Sequence, residues 1–249
     1  MLPSLTDLHR RYRQQATWTA RLRDHVFVQA RITPRSPILE VGSGTGAVLG
    51  AYPAPNAAIG LDIDQPSLQY ARSQQPHLRL TAGDAHLLPF PDNSYELTFT
   101  HYVLLWLADP ARALAEMARV TRLGGVVAAF AEPDYGARID KPDELAELGA
   151  LQTAALRARG ADPLIGARLA QLFREAGLAE IETGMMEMLP TAQLSAEDLE
   201  IEQAMLQDDL RDFVDAATLT ALLDRDRQAW ERGDRVLHVP THYAWGRIQ

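Results

Sequence analysis

The stretch Ile38-Leu39-Glu40-Val41-Gly42-Ser43-Gly44-Thr45-Gly46 constrains this chain more than any other. A short, mostly apolar run leads straight into closely spaced glycines. The run reads as a strand buried on both faces. The glycines permit positive φ and let a ligand approach the main chain. A strand ending in such a turn suits an open, mostly parallel α/β sheet, which binds ligands beyond the carboxyl ends of its strands. Further runs at Ala58–Ile63, Leu78–Thr81, Leu97–Thr100 and Val126–Ala131 alternate with helical patterns, as βαβ units do. The expected fold class is α/β: a doubly wound, Rossmann-like seven-stranded sheet with helical cap insertions. The helix expected over Ala111–Arg122 has Asp109 to cap it, Pro110 in its first turn and Gly124 beyond its end.

The loop chemistry narrows the ligand. Its spacing is G-x-G-x-G rather than the G-x-G-x-x-G of dinucleotide sites, and Glu40 would repel a pyrophosphate. Lys141 is the only lysine, so no Walker loop for ATP or GTP exists. Asp62 ends the second strand, where a carboxylate accepts both ribose hydroxyls. Asp84 follows the third and can accept from an exocyclic amine. Three acids lining one crevice suit an adenosine that carries positive charge and no phosphate. S-adenosylmethionine has that description. The formal net charge of −9 disfavours nucleic acid as a partner, although seven arginines face only Asp7 and Asp24 within residues 1–35. The chain has no cysteine, which removes disulfides, thiolate metal sites and a Cys nucleophile. Residues 1–15 hold no apolar run of a signal peptide and no window is long enough to cross a bilayer, so the expectation is a cytoplasmic protein without a membrane partner.

The segments ILEVGSGTG (38–46), GLDID (60–64), GDAHLLPFPDNSYELTFTHYVLLWL (83–107) and DPARALAEMARVTRLGGVV (109–127) together resemble the class I S-adenosylmethionine-dependent methyltransferases. More narrowly, they resemble the branch of ubiquinone/menaquinone-type and other small-molecule enzymes. The resemblance implies a cofactor loop of Glu40, Gly42, Ser43 and Gly44, and ribose held by Asp62. It implies adenine packed on Ile63, with Asp84 and the Ala85 backbone pairing with its edge, and His101 near the transferring methyl. Residues 1–35 resemble the lid of members carrying a Tyr…Gln-Ala-x-Trp…Arg pattern, here Tyr12, Gln15-Ala16, Trp18 and Arg21. Arg21 would then pair with the cofactor carboxylate; the alternative is an amphipathic helix with solvated arginines.

Methyl transfer needs alignment of acceptor and methyl, exclusion of water and sometimes removal of a proton. His101 is the candidate base; the alternative is a histidine that only shapes the pocket. Tyr102, Trp106, Glu132, Tyr135 and Arg138 are candidates for the acceptor side. No metal is expected, because His101–Leu107 offers no clustered carboxylates. Residues 36–249 would form the methyltransferase domain, with a helical cap inserted at about 190–234 that selects the acceptor. Strands are expected at Leu178–Leu189 and Arg235–Arg247, and one long helix over the first 30 residues. The expected activity is methyl transfer to a small organic acceptor, yielding S-adenosylhomocysteine. A non-catalytic cofactor-binding module and an RNA methyltransferase are the alternatives.

Overall fold

The computed structural model describes residues 3–52, 58–186 and 195–249. The chain opens with helices α1 (Leu5–Trp18) and α2 (Ala20–Gln29). It continues through β1 (Ile38–Val41), β2 (Ala58–Asp62), α3 (Gln65–Gln74), β3 (Arg79–Ala82), β4 (Tyr95–His101), α4 (Pro110–Val120) and β5 (Thr121–Pro133). After these come β6 (Ile139–Lys141), α5 (Ala146–Ala158), α6 (Leu169–Glu175) and β7 (Ala179–Met185). The last elements are α7 (Ala196–Leu210), α8 (Ala216–Arg232), β8 (Val236–His238) and β9 (Thr241–Arg247).

Seven strands form one sheet in the order β3-β2-β1-β4-β5-β9-β7. The first five pair in parallel, and β9 runs antiparallel to both β5 and β7. The expected Rossmann-like, mostly parallel sheet is present. Chain order reverses between β1 and β4, and the crevice at that switch point is where such sheets take ligands. Successive residues of β5 serve opposite faces, as a strand period of two requires. Val127 and Ala129 pack with Leu114 and Met117 of α4 and Phe173 of α6, while Val126, Ala128 and Phe130 pack with Val26 of α2. Asp109 caps α4 by accepting from Arg112 N at 3.0 Å, as its sequence position suggests.

Three departures from the sequence expectation shape the site. The N-terminal helix is two helices, because Thr19 breaks it; its hydroxyl turns back to Ala16 O at 3.2 Å and also meets His101. The strand expected over Arg235–Arg247 is divided at Pro240, which has no N–H for a ladder. Its first part, β8, leaves the sheet to pair with β6. β5 runs on to Pro133 through a bulge between Ala129 and Glu132, with Ala131 at φ +62°. The bulge re-aims Glu132 into the core. The strand expected over Leu178–Leu189 is β7, and residues 187–189 lie outside the described residues, as does the start of the cap at 190–194. α7 and α8 share a small core with α5, built from Leu148, Leu206, Leu210, Leu222 and Ala229. α5 therefore packs with the two late helices. Among the described residues no helix is long and apolar enough to cross a membrane.

Candidate active site

The glycine loop is fastened beneath and open above. Gly42 N and Ser43 N donate to Leu61 O at 2.7 and 3.0 Å, tying the turn to the end of β2. Gly42 sits at φ +78°, and a Cβ there would run into the Val103 side chain. Gly44, at φ +48°, donates its N–H to Asp62 Oδ2 at 2.6 Å. A Cβ on Gly44 would meet nothing nearer than Asp62 and Tyr12 at 3.9 Å, so this glycine faces free space. Glu40 is 2% exposed and its Oε2 has no hydrogen-bond partner, and the Ser43 hydroxyl is likewise buried and unpartnered. Burial pushes the Glu40 carboxyl up to about 8, against the pull of the Arg23 guanidinium and with a further push from Asp62.

One cavity of about 950 Å³ runs from this loop to the cap helices. Of the residues expected at the cofactor, Tyr12, Trp18, Glu40, Gly42, Ser43, Gly44, Asp62, Ile63, Asp84, Ala85 and His101 line it. Ile63 is 73% exposed, an apolar side chain left bare at the rim. Asp84 Oδ1 accepts from the His86 backbone N–H at 2.8 Å and lies 2.7 Å from its ring Nδ1, contacts that hold the carboxyl below its usual range. α1 lies across the loop: His9 Nδ1 is 2.9 Å from Thr45 Oγ1.

Arg21 is exposed and does not line the cavity. Arg23 is the arginine turned inward. It is 9% exposed and donates to Ala16 O at 2.7 Å and to Thr19 Oγ1. Thr19 Oγ1 is in turn 3.0 Å from His101 Nε2. Helix phase carried the signal: Arg23, Val26, Phe27 and Ala30 fall on one stripe at i, i+3, i+4 and i+7, and Arg21 does not. Burial, reinforced by Arg23, pulls His101 down to about 3. Both causes favour the neutral ring.

On the acceptor side, Tyr102, Trp106, Tyr135 and Arg138 line the cavity, whereas Glu132 does not. Glu132 is fully buried and its carboxylate is spent on backbone. Oε1 accepts from Val103 and Leu104 N–H at 3.0 Å each, and Oε2 from Leu105 N–H at 3.2 Å. It therefore holds the turn that presents Tyr102 and Trp106, rather than touching an acceptor. Burial pushes it up to about 7 although all three donors pull the other way. Tyr102 stands at φ +56° directly after β4. Arg11, Gln152, Glu202, Asp209, Asp226 and Arg235 also line the chamber and escaped the sequence reading. None of the six belongs to a motif, and only the packing of α1, α5, α7, α8 and the segment after α8 brings them together. Among the described residues no three His, Asp or Glu side chains are grouped as metal ligands.

Residues 39–129 match a family model described as a methyltransferase domain. Over those residues, little more than a third of its length, the chain is similar to a methyltransferase domain. Over 121 residues it is 36% identical to a demethylmenaquinone methyltransferase of Renibacterium salmoninarum, a match covering 47% of this chain and 51% of the relative. Over 96 residues it is 35% identical to a malonyl-acyl-carrier-protein O-methyltransferase of Yersinia pestis, covering 36% of the chain and 34% of the relative. The chain thus spans about half, or less, of these curated relatives. The chain also shares its fold with a protein from an antibiotic biosynthesis pathway of Anabaena variabilis, at a TM-score of 0.67 and 15% identity over 92% of this chain and 97% of that one. The domain fits its cofactor: Glu40 and Ser43 leave buried oxygens unpartnered beside an open glycine face, where an ammonium would find acceptors.

Proposed function

We propose that the protein transfers a methyl group from S-adenosylmethionine to a small organic acceptor, chiefly by positioning. The observation that carries this reading is the unpartnered Glu40 Oε2 at the floor of a cavity that continues past His101 to the cap. In this reading Glu40 takes the cofactor ammonium, Asp62 the ribose hydroxyls, and Ile63, Asp84 and Ala85 the adenine. When bound, the cofactor supplies an electrophilic methyl on a sulfonium. Residues 1–35 act as the lid, with Tyr12 and Trp18 over the loop, and Arg23 in place of Arg21 as the buried cation. His101, neutral and fixed by Thr19, shapes the wall near the methyl and excludes water rather than moving a proton.

The arginines of the N-terminal segment do not support an RNA substrate. Arg10 pairs with Glu197 at 2.8 Å, Arg11 with Glu202, and Arg23 is buried, so they are partly neutralised within the fold. Calorimetric titration with S-adenosylmethionine, S-adenosylhomocysteine and NAD, followed by an acceptor screen, tests the proposal. Micromolar binding of the first two with none of NAD, and methyl transfer to an acceptor, is the expected result. Binding of NAD alone would overturn it.

A further inference from the structure

The two ends of the cavity treat charge differently. Among the described residues, the buried polar side-chain atoms along it that lack a partner belong to Glu40 and Ser43, at the glycine loop. The charges that line the rest are paired. Arg11 of α1 pairs with Glu202 of α7, and Asp198 of α7 accepts from Ser195 N and Oγ at 3.3 and 2.8 Å. Arg138 gives Nε and Nη2 to Asp140 at 2.6 and 3.1 Å, and Nη1 to Gln152 Oε1 at 2.5 Å. Arg235 gives Nε to Asp226 at 2.8 Å and Nη2 to Asp140 at 2.7 Å. Asp209 accepts from Gln152 at 2.7 Å and from Arg159 at 3.0 Å. A charged acceptor would leave water for a chamber in which each of these charges already has its counterpart, and that costs affinity.

The same pairs hold aromatic rings. The guanidinium of Arg11 lies 4.9 Å from the centre of the Trp18 ring, that of Arg138 5.7 Å from Tyr135, and that of Arg159 5.9 Å from Trp106. A carboxylate anchors each arginine in turn, so carboxylate, guanidinium and ring recur together three times. All three rings line the cavity. Trp230 lines it too, so three of the chain's four tryptophans face this one space. Trp106 keeps 48% of its surface exposed, an apolar area that a ligand would remove from water. A guanidinium beside each ring already uses the attraction that a cationic ligand would seek. The rings it fixes remain as preset flat walls for an aromatic one.

We infer that the acceptor binds as an uncharged, planar aromatic molecule against the rings of Trp18, Trp106 and Tyr135. This rests on the reading of the chain as a methyltransferase and names the substrate class of the same cavity. Trp18, Trp106 and Tyr135 then set specificity, and Arg11, Arg138 and Arg159 are positioning residues that act through them. Rejection of charge comes from the ion pairs and preference for a flat ring from the aromatic walls, so the two effects separate by substitution.

Calorimetry on the full chain saturated with S-adenosylhomocysteine at pH 7 tests the inference with two matched sets of probes. One is 2-naphthol, decahydro-2-naphthol, 2-naphthoate and 2-naphthylmethylamine. The other is 4-ethylphenol, 4-ethylcyclohexanol, 4-ethylbenzoate and 4-ethylbenzylamine. In at least one set the neutral aromatic should bind about tenfold or more tightly than its anionic and cationic counterparts. It should bind about threefold or more tightly than its saturated counterpart. Trp106→Leu should shrink the second ratio and keep the first. Glu202→Gln takes the counter-charge from Arg11 and should raise affinity for the carboxylate about threefold or more. Binding of S-adenosylhomocysteine by each variant shows that it has folded. An ion as tight as the neutral aromatic, a saturated ring that matches it, or no binding by either neutral aromatic would overturn the inference. So would an aromatic preference untouched by Trp106→Leu, or a carboxylate affinity unchanged in Glu202→Gln. Failure of the wild-type chain to bind S-adenosylhomocysteine would instead remove the methyltransferase reading beneath it.

Discussion

Glu40 offers the sharpest test of the cofactor site, because its burial makes ligand binding a proton-linked event. The carboxyl is 2% exposed and pushed up to about 8, mainly by burial. At pH 7 the free protein therefore carries this group protonated in about nine molecules of ten. A cofactor ammonium needs the ionised form, so binding must expel close to one proton. The sign follows: affinity rises with pH up to about 8, by roughly tenfold per unit between pH 6 and 7. Isothermal titration with S-adenosylhomocysteine in phosphate and in Tris, whose ionisation heats differ, counts the protons released. We expect close to one proton at pH 7 for the wild type and none for Glu40→Gln, whose affinity should be weaker at pH 8 and flat with pH. Equal heats in the two buffers would refute the reasoning: Glu40 would then be ionised before the ligand arrives, or would not meet it.

Three other predictions use different parts of the site. Asp62→Ala should abolish cofactor binding, since this carboxylate is both the expected ribose acceptor and the acceptor of Gly44 N–H at 2.6 Å; a variant that titrates like the wild type would remove the assignment. His101→Ala should lower turnover more than cofactor affinity, and because the ring already stays neutral, wild-type turnover should show no inflection near pH 6.5; a loss confined to affinity would make His101 a binding residue. Glu132→Ala leaves three buried N–H groups without acceptors at about 1–3 kcal/mol each, partly offset by removing a costly buried carboxyl. A net destabilisation of about 2–4 kcal/mol should appear in urea melts, and an unchanged midpoint would mean that the turn finds other acceptors.

The cofactor half was legible because its signals are local. Each of Glu40, Gly42, Gly44, Asp62 and Asp84 lies at a strand end or the turn that follows it, so locating the strand locates the residue, and the cavity lining agrees with those positions. The N-terminal segment was legible as helical but not in phase. The sequence pattern favoured Arg21, whereas the stripe that packs on the sheet turned Arg23 inward. Glu132 shows the opposite limit. The sequence placed it just past the fifth strand, at the border of the expected site, yet β5 runs on through a bulge at Ala131 and its carboxylate meets three backbone donors instead of the cavity.

The alternation of buried runs and helices pointed to the fold class, and the glycine loop without a lysine, with Glu40, Asp62 and Asp84 at the strand ends, to the kind of ligand, from the chain alone. Both follow from periodicity and residue chemistry acting over a few neighbours. The far end of the cavity was decided only in three dimensions. Arg11, Gln152, Glu202 and Asp226 come from four helices spread across the chain, and each has a meaning only through its partner: Arg11 with Glu202, Gln152 with Asp209, Asp226 with Arg235. A charge buried at a helix junction takes its energy from what faces it, and what faces it is fixed by packing over long sequence distances.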